Sequence, residues 1–496
     1  MLDPLKRLKD VETLIEDELY FTLHAPRQTG KTTYLYALAR KLNAEEKYIA
    51  LVVSFEEAGY SSITVKEANE ALIDCVYTAA SEQLLPPMRP AKPAKNLPRN
   101  LKNYLKQWTN NQQKPIVLFI DEIDSLSDDV LVSILRQFRD GYSSRPKHFP
   151  SSIVLVGLRD IRDYKIKIRD ECQSMGKGSP FNIKSESLLM PNFKKEDVFE
   201  LLEQHTEDTG QVFPDEVKNE VFRLSNGQPW LVNALARQMV EKILEHDYSK
   251  PITMETLLQA KHELIQRRDT HLDSLIDKLK EERVKKIVQA IINGENLPFD
   301  ILNDDILYAR DLGIVSQTSP LEFANPVYAE IILRIMISPI EESIPEEIQT
   351  SWFVKTNGEL DMDKLLREFQ KFYRRNSEAW LGRFEYKESA QHLLLMAFLQ
   401  RVINSGGEII REMALGNGRI DMLVQFRGQE FALELKIKRD NYTLEDGKEQ
   451  LDRYLDRLGL KKGYLVIFDP SDIEWEKKIY MNEISYNDKN IILVGL

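Results

Sequence analysis

The chain has 496 residues and a mass of 57.7 kDa, a length that favours three or four folded domains over a single core. Hydrophobic residues make up 42% of it and charged residues 29%, which is typical of a globular protein and excludes fibrous and low-complexity classes. The net charge of −12 excludes a global positive field, so any contact with nucleic acid must come from a local patch or a metal ion.

We expect no segment of this sequence to direct it into or across a membrane. Its longest apolar runs, at 116–120 and 393–398, are far shorter than the roughly 18 residues that a spanning helix needs. The first ten residues carry charges where a secretory signal would be apolar. Only Cys75 and Cys172 occur, which favours a reducing compartment and argues against a disulfide framework. We therefore expect a cytoplasmic protein.

Residues 19–157 alternate short apolar strands with longer helical patterns, which predicts a parallel sheet covered by helices. The strands are expected at 20–25, 48–55, 116–120 and 153–157. They are apolar nearly throughout because both faces of such a strand are covered. We predict an α/β core over residues 1–190.

A phosphate-binding loop follows the first of these strands. The segment Ala25-Pro-Arg-Gln-Thr-Gly30-Lys31-Thr32 opens a helix predicted over 33–42, the context in which such loops occur. The chemistry needs free backbone N–H groups, an ammonium for the outer phosphates and a hydroxyl for Mg²⁺, and the end of the segment supplies all three. Alanine stands where the first glycine of the loop is usual. The predicted nucleotide contacts are Ala25, Arg27, Gly30, Lys31, Thr32 and Thr33.

The third strand ends in acidic residues. Asp121, Glu122 and Asp124 follow it at the carboxyl edge of the sheet, where open α/β sheets bind ligands. Asp121 would hold Mg²⁺ through water, and Glu122 would orient the attacking water if hydrolysis occurs. Either motif alone could be a capped helix or a solvated acidic turn. Together, in this order and spacing, they predict a site for ATP and Mg²⁺.

Helices alone are predicted over 191–268, which indicates a helical lid. A winged helix with a short hairpin is predicted over 269–338, because helices there precede Leu312-Gly-Ile-Val315 and Leu321-Glu-Phe-Ala324. Residues 10–335 thus resemble the STAND and archaeal branch of AAA+-related P-loop ATPases. Gly227-Gln-Pro229 is similar to the GxP motif of their lid. The resemblance implies that nucleotide state repositions lid and winged helix, and it leaves homo-oligomerisation open.

Two arginines have undecided roles. In ATPases of this group an arginine after the fourth strand often senses the γ-phosphate, which the resemblance implies for Arg159. The alternative is a surface arginine among neighbouring basic residues. Arg27, inside the loop, is equally open.

The C-terminal unit carries a second group of charged residues. We predict a linker and connecting helix over 339–378 and a further domain over 379–496. Residues 421–426 and 430–437 alternate as a β-hairpin whose turn is Arg427-Gly428. Counting outward from a two-residue turn places Asp421 opposite Glu434, with Cβ atoms about 5 Å apart. Lys436 shares that face, because strand side chains alternate with period two.

Two opposed carboxylates repel, and a divalent cation would offset the repulsion. Mg²⁺ prefers one or two carboxylates plus water and leaves positions for phosphate oxygens. Lys436 would lie beside that cation and stabilise charge in a phosphoryl-transfer transition state. The alternative is a salt bridge from Lys436 to one carboxylate on a solvated strand face.

The surrounding elements resemble the PD-(D/E)XK nuclease superfamily, with its αβββαβ restriction-endonuclease-like fold. The resemblance implies that Asp421 and Glu434 bind metal and that Lys436 is catalytic. It also implies a metal-binding Glu388 on the first helix, with Glu385 as competitor. Gln450 and Tyr454 match the QxxxY motif of RecB-like members, where they support the site. Residues 379–496 contain 17 Lys and Arg and 19 Asp and Glu, so this domain has no net positive charge. DNA contact would therefore depend on local basic patches and metal.

The sequence therefore predicts an ATPase joined to a nuclease that cuts DNA, with Mg²⁺ as cofactor and Mn²⁺ as its substitute. A role in defence or in mobile-element processing follows only from analogy with such fusions. One alternative is a nucleotide-driven switch or scaffold whose C-terminal fold binds nucleic acid or a partner without cutting. Another is a winged-helix transcription regulator.

Overall fold

The computed structural model describes most of the chain. The described residues are 2–58, 64–93, 100–159, 184–267, 270–292, 303–343, 353–381, 390–403, 407–413, 420–438, 442–471 and 473–496. The chain divides into two compact units. The first comprises Met1–His271 and Leu307–Ile314, and the second comprises Leu272–Ile306 and Val315–Leu496.

A five-stranded parallel sheet forms the centre of the first unit. Its strand order is β2-β3-β4-β1-β5. The first four strands confirm the predicted ones. The fifth was missed because its sequence, Lys-Ser-Glu-Ser-Leu-Leu, is too polar for a buried strand, and it lies at the sheet edge where polar residues are tolerated. The strands are β1 Tyr20–His24, β2 Ile49–Ser54, β3 Ile116–Asp121, β4 Ser152–Gly157 and β5 Lys184–Leu189.

Helices cover both faces of this sheet and make it an α/β P-loop fold. The helices are α1 Val11–Glu16, α2 Lys31–Ala44, α3 Val65–Gln83, α4 Leu101–Asn110 and α5 Asp128–Gly141. The first two pack on one face, where Leu35 and Phe119 belong to one apolar core. The other three pack on the opposite face, where Trp108 and Leu118 belong to a second core. The fully apolar strands follow from this double covering.

The predicted lid is helical over all its described length. It comprises α6 Lys195–Thr209, α7 Asp215–Ser225, α8 Pro229–Arg237 and α9 Met254–Gln266. The helix α8 continues at Gln238–Ile243 as a π-helical turn. Buried Gln238 begins that turn and donates to Glu263 of the next helix.

Within the described residues, four helices and one β-bridge occupy the region predicted as a winged helix. They are α10 Thr270–Leu279, α11 Glu282–Ile292, α12 Asp304–Asp311 and α13 Pro326–Ser343, and Val315 pairs with Phe323 where the hairpin was expected. Residues 339–343, predicted as the start of a linker, are helical. The last helix continues through Pro339 to Ser343, since an interior proline removes one helical hydrogen bond without always ending a helix.

A six-stranded mixed sheet dominates the second unit, in the order β10-β11-β9-β8-β7-β6. The helix α16 packs against β8 and β9, and α15 packs against α13 and β6. The elements from α15 to β9 follow one another in the expected αβββαβ order. The bounds are α14 Met362–Leu381, α15 Ala390–Ile403, β6 Gly407–Met413, β7 Ile420–Phe426, β8 Gln429–Ile437, α16 Thr443–Leu458, β9 Lys462–Phe468, α17 Trp475–Lys478, β10 Tyr480–Tyr486 and β11 Lys489–Gly495.

The final β10–β11 hairpin was not predicted. Its turn, Asn487-Asp488, has positive φ at both residues and joins two seven-residue strands in unbroken register. Such a turn is a recognisable hairpin signal, so the sequence did contain the information. Among the described residues, no helix is long and apolar enough to cross a bilayer.

Candidate functional site

The loop after β1 has the geometry of a phosphate-binding loop. Gly30 has φ +87°, in the left-handed region that glycine adopts most easily, and α2 begins at the next residue. The Lys31 ammonium, which is largely buried, donates to the carbonyl oxygens of Ala25 at 2.9 Å and Pro26 at 3.0 Å. Thr29 donates to the same Pro26 oxygen. The loop thus closes around its own lysine.

Thr32 and Asp121 lie side by side across the end of the sheet. The Thr32 hydroxyl donates to Asp121 Oδ2 at 2.7 Å, and the Glu122 N–H donates to Asp121 Oδ1 at 3.0 Å. Asp121 is buried at the end of β3. A hydroxyl and a carboxylate so placed are donors that suit Mg²⁺, so the residues present fit that ion.

Burial perturbs the charged groups around this loop. Burial lowers the pKa of Lys31, while the nearby carboxylates of Asp121, Glu122 and Asp124 act to raise it. Burial also raises the pKa of Glu122, and repulsion from its two acidic neighbours adds to the effect. A raised carboxyl pKa beside a buried lysine is common at sites where a charged ligand completes the balance.

Asp124 belongs to this group, although it was not among the predicted site residues. Burial raises its pKa, and its Oδ1 is buried without a hydrogen-bond partner in the described part of the chain. A Cβ on Gly157 would lie 2.8 Å from that oxygen, so the end of β4 must be glycine for the carboxylate to fit. Its position, three residues after Asp121, was the available signal.

Arg159 contacts an aromatic residue from far along the chain. Its Nη2 donates to the Tyr308 hydroxyl at 3.1 Å, and its guanidinium stacks over the Tyr308 ring at 4.5 Å. Tyr308 is buried and belongs to the segment Leu307–Ile314, which is part of the same compact unit. The γ-phosphate-sensing role of Arg159 stays a prediction, as does the role of exposed Arg27.

The same segment packs against the strand and loop that precede α2. Asp311 Oδ1 lies 3.4 Å from Nδ1 of buried His24, at the end of β1. A Cβ on Gly313 would lie 2.6 Å from Pro26 Cγ. Residues 307–314 therefore contact three parts of the nucleotide region, which sequence spacing could not reveal.

A cavity of about 370 Å³ opens beside the loop. Thr29, Gly30 and Thr33 line one side of it, and lid residues line another. Two aromatic residues in its wall, Phe193 and Trp230, were not predicted to bind anything. The complete lining is Leu2, Asp3, Pro4, Lys6, Arg7, Gln28, Thr29, Gly30, Thr33, Phe193, Asp197, Leu201, Pro229, Trp230 and Asn233.

The GxP turn packs tightly against this cavity wall. Gly227 has φ +69°, and a Cβ there would lie 1.9 Å from the Phe193 carbonyl oxygen. The Phe193 N–H donates to the Gly227 oxygen at 2.8 Å. Gln228 caps the N-terminus of α8, and Pro229 occupies its first turn. The turn therefore fixes where α8 begins beside the cavity.

In the second unit, the β7–β8 hairpin has the predicted register. Phe426 pairs with Gln429 across a two-residue turn in which Arg427 and Gly428 both have positive φ. Pairing continues to Met422 opposite Leu433, so the next step of the register sets position 421 opposite Glu434. By strand alternation, positions 421, 434 and 436 share one face.

Glu434 is buried rather than exposed on a solvated face. Its side chain is 1% exposed, and neither carboxylate oxygen accepts a hydrogen bond from a described residue. Its counter-charge is Lys436, whose ammonium lies within ion-pairing distance of Oε1 and is 14% exposed. The salt bridge of the alternative interpretation exists, but α16 covers it.

The predicted supporting residues lie on that covering helix. The Lys436 ammonium also donates to Gln450 Oε1, and Tyr454, one turn later, is fully buried in the apolar core of the sheet. Gly447 lets the helix approach the sheet closely, since a Cβ there would lie 2.8 Å from Leu465 Cδ1 on β9. The structure therefore brings Glu434, Lys436 and Gln450 together.

The remaining predicted ligands cannot be located. Glu388 and Glu385 lie outside the described residues, and the Asp421 side chain is likewise not described. Within the described ranges, no group of three or more His, Cys, Asp and Glu side chains is arranged to hold a metal ion. Glu434 has Lys436 as its counter-charge, and a cation bound at this carboxylate stays a prediction.

Two family comparisons match parts of the chain. Residues 15–164 match the family described as an AAA domain, and residues 369–472 match a domain of unknown function, DUF8371. With the parallel sheet and the phosphate-binding loop, the first match makes this part of the chain an AAA-type P-loop ATPase domain. The comparison with curated proteins gave no match.

Three solved structures show distant similarity to this chain. The Walker-type ATPase PABY2304 of Pyrococcus abyssi is 14% identical, with a TM-score of 0.47, covering 67% of this chain and 96% of its own. The Orc1 protein of Aeropyrum pernix, solved in complex with DNA, is 14% identical with a TM-score of 0.34, covering 68% and 95%. Cdc6p of Pyrobaculum aerophilum is 12% identical with a TM-score of 0.36, covering 66% and 93%. Similarity at this level carries no conclusion about substrates or partners.

Proposed function

We propose that the chain couples an ATP-binding and ATP-hydrolysing domain to a Mg²⁺-dependent nuclease that cleaves DNA. The observation that carries the nuclease half is Glu434, a buried carboxylate whose oxygens accept no hydrogen bond from the described residues, beside Lys436. The hairpin register runs to Met422 opposite Leu433, and one further step would set Asp421 opposite Glu434; Gln450 accepts a hydrogen bond from the lysine. The order of elements around the hairpin supports the same proposal.

The ATPase half rests on the loop and the acidic strand end. Lys31 supplies the ammonium for the outer phosphates, and exchanges its two carbonyl contacts for them. Thr32 and Asp121 would hold Mg²⁺, and Glu122 orients the water that attacks the γ-phosphate. Nucleotide state then gates the nuclease.

Asp421 and Glu434 would hold the nuclease Mg²⁺, with Glu388 as a third ligand. The ion, when bound, polarises the scissile phosphate and makes water a stronger nucleophile. Lys436, fixed by Glu434 and Gln450, stabilises the negative charge that develops on the phosphoryl oxygens. Water adds to phosphorus and a P–O ester bond of the backbone breaks.

Plasmid nicking tests the nuclease half. Wild type with Mg²⁺ or Mn²⁺ should nick supercoiled DNA, and Glu434→Ala should lose the activity. Glu430→Ala is the matched control, since Glu430 is exposed on the same strand. No cutting by wild type with any nucleotide or metal would refute the nuclease and leave a nucleotide-driven scaffold.

Nucleotide binding tests the ATPase half separately. Lys31→Ala should abolish ATP binding in calorimetry, while Arg40→Ala, which removes an exposed cation on the same helix, should leave it unchanged. Binding that survives Lys31→Ala would refute the proposed site.

A further inference from the structure

A half-buried arginine near the N-terminus, Arg7, contacts both the phosphate-binding loop and the start of the lid. Arg7 ends the short 3₁₀ helix Pro4–Arg7. Its Nη1 donates to the Thr29 carbonyl, and its Nη2 donates to the Pro191 carbonyl. Its guanidinium stacks over the Phe193 ring at 5.1 Å. One planar cation therefore joins two segments more than 150 residues apart through two separate nitrogen atoms, whereas an ammonium would have to reach both carbonyls from a single nitrogen.

The contact with Thr29 bears on the loop itself. The Thr29 carbonyl and the Gly30 N–H belong to one planar trans peptide, so they point in opposite directions. By binding the carbonyl, Arg7 turns the Gly30 N–H away from itself, at the N-terminus of α2 where phosphates bind. A Cβ on Gly30 would lie 3.1 Å from Arg7 Nη1, so the two residues are in close contact.

The contacts on the other side lead into the lid. Pro191 and Phe193 precede α6, and the Phe193 backbone pairs with Gly227 of the GxP turn. A continuous path of contacts thus runs from the Gly30 peptide through Arg7 to that turn. Exposed Lys9, two residues further along the chain, takes no part in it.

The charge of Arg7 is retained in this environment. Burial lowers the pKa of Arg7 to about 10, with Asp197 opposing the effect, so the guanidinium stays protonated at neutral pH. Its Nε is buried and has no hydrogen-bond partner among the described residues. Three features therefore coincide: a retained charge, a two-carbonyl bridge and a place in the cavity wall.

We infer that Arg7 is a positioning residue of the nucleotide site, which orients the Gly30 peptide for the β-phosphate and ties the loop to the lid. This inference rests on the proposed nucleotide binding. It predicts that loss of the bridge weakens ligands that carry a β-phosphate and spares those that lack one.

The test is calorimetric affinity for AMP and ADP in wild type, Arg7→Met, Arg7→Lys and the control Lys9→Met. Arg7→Met should lower the affinity for ADP by about 10- to 100-fold, the range expected for losing a hydrogen bond from a charged group. The affinity of the same variant for AMP should change by less than about threefold. Arg7→Lys should show the same affinities as Arg7→Met, because an ammonium has only one nitrogen with which to reach both carbonyls. The control Lys9→Met should match the affinities of wild type.

Three results would overturn the inference: equal loss of AMP and ADP, full rescue by lysine, or no effect of either variant. An equal loss of AMP and ADP affinity would mean that Arg7 contacts the base or the sugar. Restored ADP affinity in Arg7→Lys would mean that only the positive charge of Arg7 is needed. If Arg7→Met does not fold, Phe193→Leu decides, since it removes the stacked ring and should weaken ADP selectively. If wild type binds neither nucleotide, the proposed function fails instead.

Discussion

Replacing Lys436 by methionine should destabilise the second unit strongly. The substitution keeps the length of the side chain and removes the counter-charge of Glu434, which is 1% exposed and accepts no hydrogen bond from the described residues. Removing one partner of a buried ion pair costs about 3–5 kcal/mol, because the other charge stays desolvated. Since a domain is stable by only about 5–15 kcal/mol, this loss is a large fraction of the total.

Urea unfolding followed by circular dichroism measures the effect. The control is Lys438→Met, one residue after the same strand, whose ammonium is 48% exposed and pairs with Asp469. Asp469 also accepts hydrogen bonds from the N–H and the hydroxyl of Ser471, so it keeps polar partners without the lysine. Since the lost ammonium is half exposed, this variant should lose much less stability than Lys436→Met. The double variant Glu434→Leu/Lys436→Met should recover most of the stability, because an apolar pair removes both desolvation costs.

Mn²⁺ distinguishes a cation site from an isolated salt bridge in the same experiment. If Glu434 is a metal ligand, Mn²⁺ at 100 times its dissociation constant should stabilise the Lys436→Met variant by about 2.7 kcal/mol. The double variant, which has no carboxylate at 434, should not respond. A loss below about 1 kcal/mol in Lys436→Met would refute the reasoning, since it would mean that the carboxylate is hydrated or uncharged.

Two further predictions concern the lid and the C-terminal sheet. Gly227→Ala should destabilise the first unit far more than Gly210→Ala in thermal unfolding. Both positions have positive φ, but only a Cβ on Gly227 would meet a backbone atom, at 1.9 Å. Similar unfolding midpoints for the two variants would contradict this prediction. Burial acts to raise the pKa of Asp363, but hydrogen bonds from Tyr464 and Lys462 outweigh it and lower the pKa below its ordinary 3.8. A lowered carboxyl pKa stabilises the fold above the ordinary value, and the stabilisation disappears as pH falls through the lowered one. Asp363→Asn should therefore lower the free energy of unfolding at pH 6 and change it little at pH 2. An equal loss of stability at both pH values would refute this prediction.

Local patterns predicted the parts of the fold that depend on local physics. Strands β1 to β4 were predictable because buried parallel strands are apolar on both faces, and the hairpin register followed from a turn of two residues. The polar edge strand Lys184–Leu189 was missed because it carries too few apolar residues for that rule. The helix that runs past Pro339 to Ser343 was not predicted, because a proline commonly indicates a helix end.

Contacts between distant segments could not be predicted from spacing. Nothing in the sequence around Arg7 shows that its guanidinium reaches Thr29 and Pro191, since such a contact depends on where the chain returns after 184 residues. Tyr308 beside Arg159 is a similar case. The sequence predicted which groups carry the chemistry of the nucleotide loop, and the fold determines which groups hold them.

The burial of Glu434 is the feature that most needs an explanation beyond stability. The alternation of side chains along the strand predicted which face of the hairpin carries Glu434. In an antiparallel hairpin with alternating polar and apolar residues, the polar face is commonly exposed to water. Here Gly447 lets α16 approach closely enough to enclose the carboxylate, while Lys436 and Gln450 keep their polar ends beside it. An apolar pair at 434 and 436 would fold at least as well, because buried ion pairs rarely repay their desolvation. The proposed nuclease needs a cation at this carboxylate in addition to the lysine that pairs with it, and the Mn²⁺ response described above distinguishes such a site from an isolated salt bridge.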